Sequence, residues 1–336
     1  MTVGEGRTTT DSLFAAVYAD PKSDGPRAVL SDHLLERADP RGEFIALQLQ
    51  KQRGPLSGVG ARREKQLLHA HRAAWLGPLT KMLVGEEKWE RGFLSEAWVK
   101  LNGDSEGDPR WNTVKKVNLY VADSTTPREL GGGNFRALNI LHGAFRLGLE
   151  VLLNATDRPP LEELELSGPG SQSGWNKQQL ATLLKMTAYP ALTRLKLKPA
   201  LWPWEAKHLQ WLWRSPLAQQ LHSLELDLNL PLDVAGCLKA AEQLPGLQRL
   251  VVGHSFFYFE LTRGIDGRLS ALHLHFSAVT QNASYLPQLS TPLRMLPDDA
   301  LTAFAFTTEG KRFPPAKMKP LRNAMSRQRL LKDERW

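Results

Sequence analysis

A six-residue pattern with apolar residues at its first, fourth and sixth positions recurs through most of the chain and restricts its folds. It is VKKVNL from Val114, LEELEL from Leu161, LTRLKL from Leu192, LHSLEL from Leu221, LQRLVV from Leu247 and LSALHL from Leu269. Weaker copies begin at Phe135 (FRALNI) and Leu301 (LTAFAF). The starts from Leu161 onward are 31, 29, 26 and 22 residues apart. A period of that size implies one strand–turn–return unit repeated with length variation. Alternate residues of a strand share a face, so the fourth and sixth positions point inward and the residues beside them face the open side. Helices are predicted between the strands at Asn176–Met186, Glu205–Arg214 and Asp233–Leu244, and Tyr189-Pro190, Ser215-Pro216 and Leu244-Pro245 mark the returns. One parallel strand and one helix per unit predict an α/β fold, a curved solenoid over 89–308.

The residues before it, 1–78, read as a small all-helical domain. Asp11 is placed to cap a helix carrying Leu13, Phe14 and Val17, which Asp20-Pro21 ends. A second helix runs from about Pro26 to Arg37 with Leu30 and Leu34 on one face, and Asp39-Pro40 starts a third. In the third, Ile45 and Leu49 share one side, and Gln48 and Gln52 are expected toward solvent. A fourth, Ala61 to about Ala74, carries Arg62, Arg63, Lys65 and Arg72 and stops at Trp75-Leu76-Gly77-Pro78.

A chain of 336 residues that is 42% hydrophobic and 23% charged is composed as a folded protein, long enough for two domains or one solenoid. No apolar run matches a signal-peptide core or a membrane span, so the expected compartment is the cytoplasm. The single cysteine, Cys237, lies in an apolar-patterned run and is expected in the core. The net charge of +8 is concentrated near the end of the chain, where a tail or capping helix is expected at 309–336: from Lys311 to Trp336, nine basic residues against Asp333 and Glu334 give +7, which leaves +1 for everything before Lys311. Lys317, Lys319, Arg322, Arg327 and Arg329 of this tail are candidates for steering anionic partners.

The units LEELEL, LTRLKL, LHSLEL, LQRLVV and LSALHL resemble leucine-rich repeats in degenerate form, without the usual Asn or Cys. The stretch from FAAVYADP through DGPRAVLSDHLLERADPRGEFIALQLQ to WLGPL resembles the small repeat-companion domain that precedes such repeats in myxobacterial and planctomycete proteins. WERGFLSEAWV, Trp89 to Val99, is similar to the strand that opens the solenoid in that group. The resemblance implies no catalytic residues.

Catalytic patterns are weak. Asp32 and Glu36 are spaced to share a helix face, as a carboxylate pair or hard metal site requires, but Arg27, Arg37 and Arg41 lie close by. Capping and surface ion pairing are the expected roles of these charges. His273 and His275 alternate on a predicted strand with His254 one unit earlier, too few ligands for a typical zinc centre. The glycine run 131–133 lacks a following Gly-Lys-Ser or Gly-Lys-Thr and reads as a connector. No cofactor or metal is expected.

The open face of the strands offers Glu163 and Glu165, then Arg194, Lys196 and Lys198, then Glu225 and Asp227, an acidic–basic–acidic stripe, with His273 and His275 beyond. Part of that charge is expected to pair across the ladder. Trp202, Trp204, Trp211 and Trp213 divide between core packing and anchoring of a partner, as do the aromatics of Phe256–Phe259. From Phe256 to Leu269 a hairpin is expected in place of a helix. The leading expectation is a non-enzymatic scaffold that binds a protein on this face. The alternative is a nucleic-acid or anionic-surface binder that uses the tail and the fourth helix. An enzyme whose site leaves no motif is a third possibility.

Overall fold

The computed structural model describes residues 3–100, 106–120, 128–132, 134–144, 146–167, 177–198, 206–227, 234–254, 257–264, 267, 269–276, 294, 303–308, 319 and 323. It is mixed α/β with an N-terminal helical region, and divides into two compact units, Met1–Glu163 and Leu164–Trp336.

The first unit begins with α1 (Val3–Ala19), α2 (Gly25–Glu36), α3 (Pro40–Arg53) and α4 (Gly58–Leu76). Asp39 caps α3 by accepting the Arg41 N–H at 2.8 Å, and Ser57 caps α4 through the Gly60 N–H at 3.1 Å. Asp11, by contrast, lies within α1, because the helix starts eight residues earlier. Leu30, Leu34, Ile45 and Leu49 form one core with Val17, and Phe44, Leu67 and Trp75 form a second. The helices α2 and α3 approach closely at Gly42, where a Cβ would sit 2.7 Å from the Leu35 backbone nitrogen.

The strands of this unit are β1 (Leu83–Glu90), β2 (Phe93–Val99), β3 (Lys116–Leu119) and β4 (Ile140–Ala144), neighbours in that order. Residues 89–99 do not form one strand. Arg91 and Gly92, both at positive φ (54° and 85°), turn β1 back antiparallel onto β2. Two left-handed residues in a two-residue loop match the right-handed twist of the flanking strands. From β2 onward the pairing is parallel, Ala97 opposite Val117 and Val117 opposite Leu141. A helix, α5 (Arg146–Asn154), follows β4.

Gln48 corrects the solvent-facing expectation: it is buried, and its amide is fully used. Its Oε1 accepts the Gly92 N–H at 2.7 Å, and its Nε2 donates to Glu64 at 3.1 Å and to the Trp89 carbonyl at 3.2 Å. The polar residue is tolerated because every group it buries finds a partner. Arg27 and Arg41 likewise depart from the expected surface pairing. Arg27 is 1% exposed and Arg41 9%, and their guanidiniums lie 5.3 and 4.8 Å from the Phe93 ring centroid. Asp32 and Glu36 are exposed, and no cluster of three potential metal ligands occurs among the described residues.

In the second unit the strands are β5 (Glu163–Ser167), β6 (Arg194–Lys198), β7 (Ser223–Asp227), β8 (Arg249–His254), β9 (Phe257–Arg263), β10 (Leu269–Phe276) and β11 (Ala303–Thr308), again neighbours in chain order. Glu163, first in β5, belongs to the first unit by its contacts. Helices α6 (Lys177–Leu184), α7 (Ala206–Trp213), α8 (Pro216–Gln220) and α9 (Val234–Glu242) fall between the strands. The inward leucines behave as the six-residue pattern requires: Leu164, Leu166, Leu195, Leu197, Leu224, Leu226 and Leu250 are all at most 1% exposed. Cys237 is also buried. Strands β6, β7 and β8 are parallel; β9 runs antiparallel to both neighbours, and β11 is parallel to β10. The expected hairpin is therefore present as β9–β10.

Replacing Gln48 with Leu leaves the Gly92 N–H without its acceptor. Gln48→Leu is expected to lower stability to urea by about 1–3 kcal/mol, the usual cost of an unsatisfied buried donor; an unchanged midpoint would show that the amide network is dispensable.

Candidate functional site

Strand alternation sorts the charged residues of the second unit onto the face opposite the buried leucines. Lys196 stands opposite Glu225, and Glu225 opposite Val251; Val251 faces Glu260, and Glu260 faces His273. A neighbouring row runs from Asp227 through Gly253 and Tyr258 to His275. The backbone register thus brings charges from strands far apart in sequence to a few ångströms' spacing.

Several of these charges engage one another. Lys198 Nζ donates to Glu165 Oε2 at 3.0 Å. Arg249 lies between two carboxylates, with Nε 2.6 Å from Glu260 Oε1 and a terminal nitrogen 3.8 Å from Glu225 Oε2. The β7–β9 stretch of the face is therefore a linked set of opposite charges, partly exposed to water, in which each pair is individually weak. Arg194, Lys196 and Asp227 lie on the same face and are also engaged.

A hollow of about 260 Å³ opens here, lined by Lys198, Glu225, Asp227, Arg249, Val251 and Tyr258, with Gly253 contributing backbone only. Tyr258 is 38% exposed while its neighbour Phe259 is fully buried. An aromatic ring beside opposite charges combines apolar contact area with oriented polar groups, the composition of a recognition surface.

Not every expected contact residue is available. Glu163 is only 9% exposed: His142 of β4 donates to it across 2.7 Å, so its carboxylate is committed within the first unit. Trp213 is buried at 6% exposure, whereas Trp211, two residues earlier on α7, is 41% exposed. Adjacent-but-one helix positions point in different directions, which splits the pair. Trp202, Trp204, Lys317, Arg322, Arg327 and Arg329 lie outside the described residues, as does the side chain of His275; Lys319 is exposed.

Sequence reasoning passed over Trp98 and Tyr120, exposed at 48% and 57% in the first unit. Their signal was present in the alternation: Ala97 and Val99, like Val117 and Leu119, are buried, which turns Trp98 and Tyr120 to the opposite face. Trp98 also covers Gly85, where a Cβ would come within 2.9 Å of the Trp98 Cβ.

The two helix tryptophans are expected to separate on substitution. Trp213→Ala should lower thermal or urea stability by about 3–5 kcal/mol as a large core deletion, and Trp211→Ala by less than 1 kcal/mol, about the size of a surface change; equal losses would contradict their assigned burial. No family model, curated protein or solved structure matches the chain.

Proposed function

We propose that the chain is a non-enzymatic protein-interaction module of the cytoplasm, a degenerate leucine-rich-repeat solenoid following a repeat-companion domain, which needs no cofactor. The repeat assignment draws support from the parallel β6–β7–β8 strands, their buried leucine pairs and the helices between them. No helix among the described residues is long and apolar enough to cross a membrane.

The observation that carries the proposal is the hollow beside Tyr258. It presents cations (Lys198, Arg249) and carboxylates (Glu225, Asp227) within one small area, next to an exposed phenol. Such a mixture favours a partner of complementary, patterned charge over a uniformly anionic polymer, because half of the surface would repel a phosphate track. Binding to nucleic acid or an anionic surface through α4 and the tail has less support. Glu43 holds Arg63 in a two-bond fork at 2.6 and 2.8 Å, and Glu87 holds Arg72 in the same way, so two of the four α4 cations serve the first unit's own packing.

Affinity capture with the full chain from nuclease-treated lysate tests this function. A stoichiometric protein partner is expected, lost or weakened about tenfold or more by Tyr258→Ala and by Glu225→Lys. A nuclease-sensitive association that persists in both variants and disappears in high salt would establish the nucleic-acid alternative instead. Turnover of a defined substrate without any captured partner would overturn the non-enzymatic assignment.

A further inference from the structure

The first unit contains a second site that the repeat face does not explain. A cavity of about 540 Å³ lies between α1, α3 and the 3-10 turn Pro109–Thr113, and three arginines line it: Arg41, Arg110 and Arg136. Its size falls within the range of small-molecule pockets.

Arg41 is the informative member. It is 9% exposed, its guanidinium packs against the rings of Phe14 (4.9 Å), Phe93 (4.8 Å) and Trp75 (5.8 Å), and its Nε is sealed from solvent without an acceptor. The Nε of Arg27 is likewise sealed without an acceptor, but each of the other two buried arginines of this unit donates from a terminal nitrogen. Arg91 donates to the Pro21 and Lys22 carbonyls and to Asp24, and Arg27 to the Ser23 carbonyl. Arg41 has neither a carbonyl nor a carboxylate on its guanidinium among the described residues, since the Asp39 side chain accepts its backbone N–H instead. Burial, the largest influence, pushes the Arg41 guanidinium pKa down, and the charge of Arg110 adds to this, while Tyr18 and Asp39 push it up. A buried cation with no carboxylate in direct contact is costly, and an anion in the adjoining cavity would offset that cost.

The surrounding groups suit an anion. Arg110 is matched by Asp108 at 2.7 Å, but Arg136 forms no ion pair among the described residues and only reaches the Ala19 carbonyl at 3.4 Å. The Asn112 side chain accepts the Arg136 N–H at 3.4 Å. Tyr18 lines the cavity too, and burial raises its pKa, so the phenol stays protonated and can donate. Two cations thus stand without carboxylate partners beside a neutral donor, a match to a doubly charged oxyanion. The cavity is much larger than one oxyanion, and Phe14 and Pro109 supply apolar wall for an organic remainder.

We propose that this cavity binds a small phosphomonoester, with its phosphate held by Arg41, Arg110 and Arg136 and its organic part against Phe14 and Pro109. Asp11, on the same wall, is solvent-exposed and disfavours deeper accumulation of negative charge, so a single dianionic group is the expected complement.

Isothermal titration calorimetry of the full-length protein, at constant ionic strength, tests the site with three probes: phenyl phosphate, inorganic phosphate and benzoate. Phenyl phosphate is expected to bind one to one and about tenfold more tightly than either of the others. Arg136→Gln, at an exposed position, should weaken it about tenfold while leaving the far-ultraviolet circular dichroism unchanged. Arg41→Met should abolish binding; if that variant does not fold, Arg110→Gln carries the test with an expected loss of about tenfold or more. Absence of saturable binding up to about 10 mM phenyl phosphate would overturn the proposal. So would benzoate binding as tightly as phenyl phosphate, or an affinity indifferent to Arg136→Gln.

Discussion

The docking of the Arg91–Gly92 turn against the helices is the contact on which the first unit depends. Gly92 donates its N–H to Gln48 of α3, Arg91 donates to the Pro21 and Lys22 carbonyls after α1, and Phe93 enters the helical core between two guanidiniums. A side chain at Gly92 would overlap Ile45, with a Cβ only 2.2 Å from its Cγ1, and the φ of 85° is one that L residues rarely adopt. The helices therefore present a socket shaped to one glycine-containing turn, and the strand that follows is set in place by it. Of the buried arginines, Arg91 is met by carbonyl oxygens, while Arg27 and Arg41 lie against the Phe93 ring.

What could be read from the sequence divides along physical lines. Helix limits at Asp39-Pro40 and the inward leucines at Leu164, Leu195 and Leu224 were legible because capping and alternation are local rules. The hairpin at β9–β10 was legible for the same reason. Gln48 was not, since its burial is decided by a turn more than 40 residues away, and helical periodicity alone assigns a glutamine to water. Arg91-Gly92 was overlooked because the apolar pattern around it runs on as though through one strand, while the two positive φ values are a property of the folded backbone. The charge stripe was visible residue by residue, yet the commitment of Glu163 to His142 needed the register of a different strand.

The two candidate sites recognise by different physics. On the second unit's face, opposite charges already engage one another, so any partner has to replace existing pairs and gains through pattern more than through raw attraction. In the first unit's cavity, the Arg41 guanidinium packs on aromatic rings and has no carboxylate hydrogen-bonded to it among the described residues. One surface pairs its charges before binding; the other turns a cation that lacks a direct ion pair toward a cavity.

The reversal at β9 also bears on how the second unit folds. Strands β6, β7 and β8 are joined by connections that include a helix, and each parallel pairing closes a loop of more than twenty residues. Between β8 and β9, and between β9 and β10, only a few residues intervene, so those ladders close at far smaller entropic cost. The meander is accordingly the place where chain collapse most readily yields correct pairing, and it offers a template edge at β8 onto which the slower parallel strands can add. The antiparallel departure from the β6–β8 pairing is thus the part of the sheet whose closure costs least.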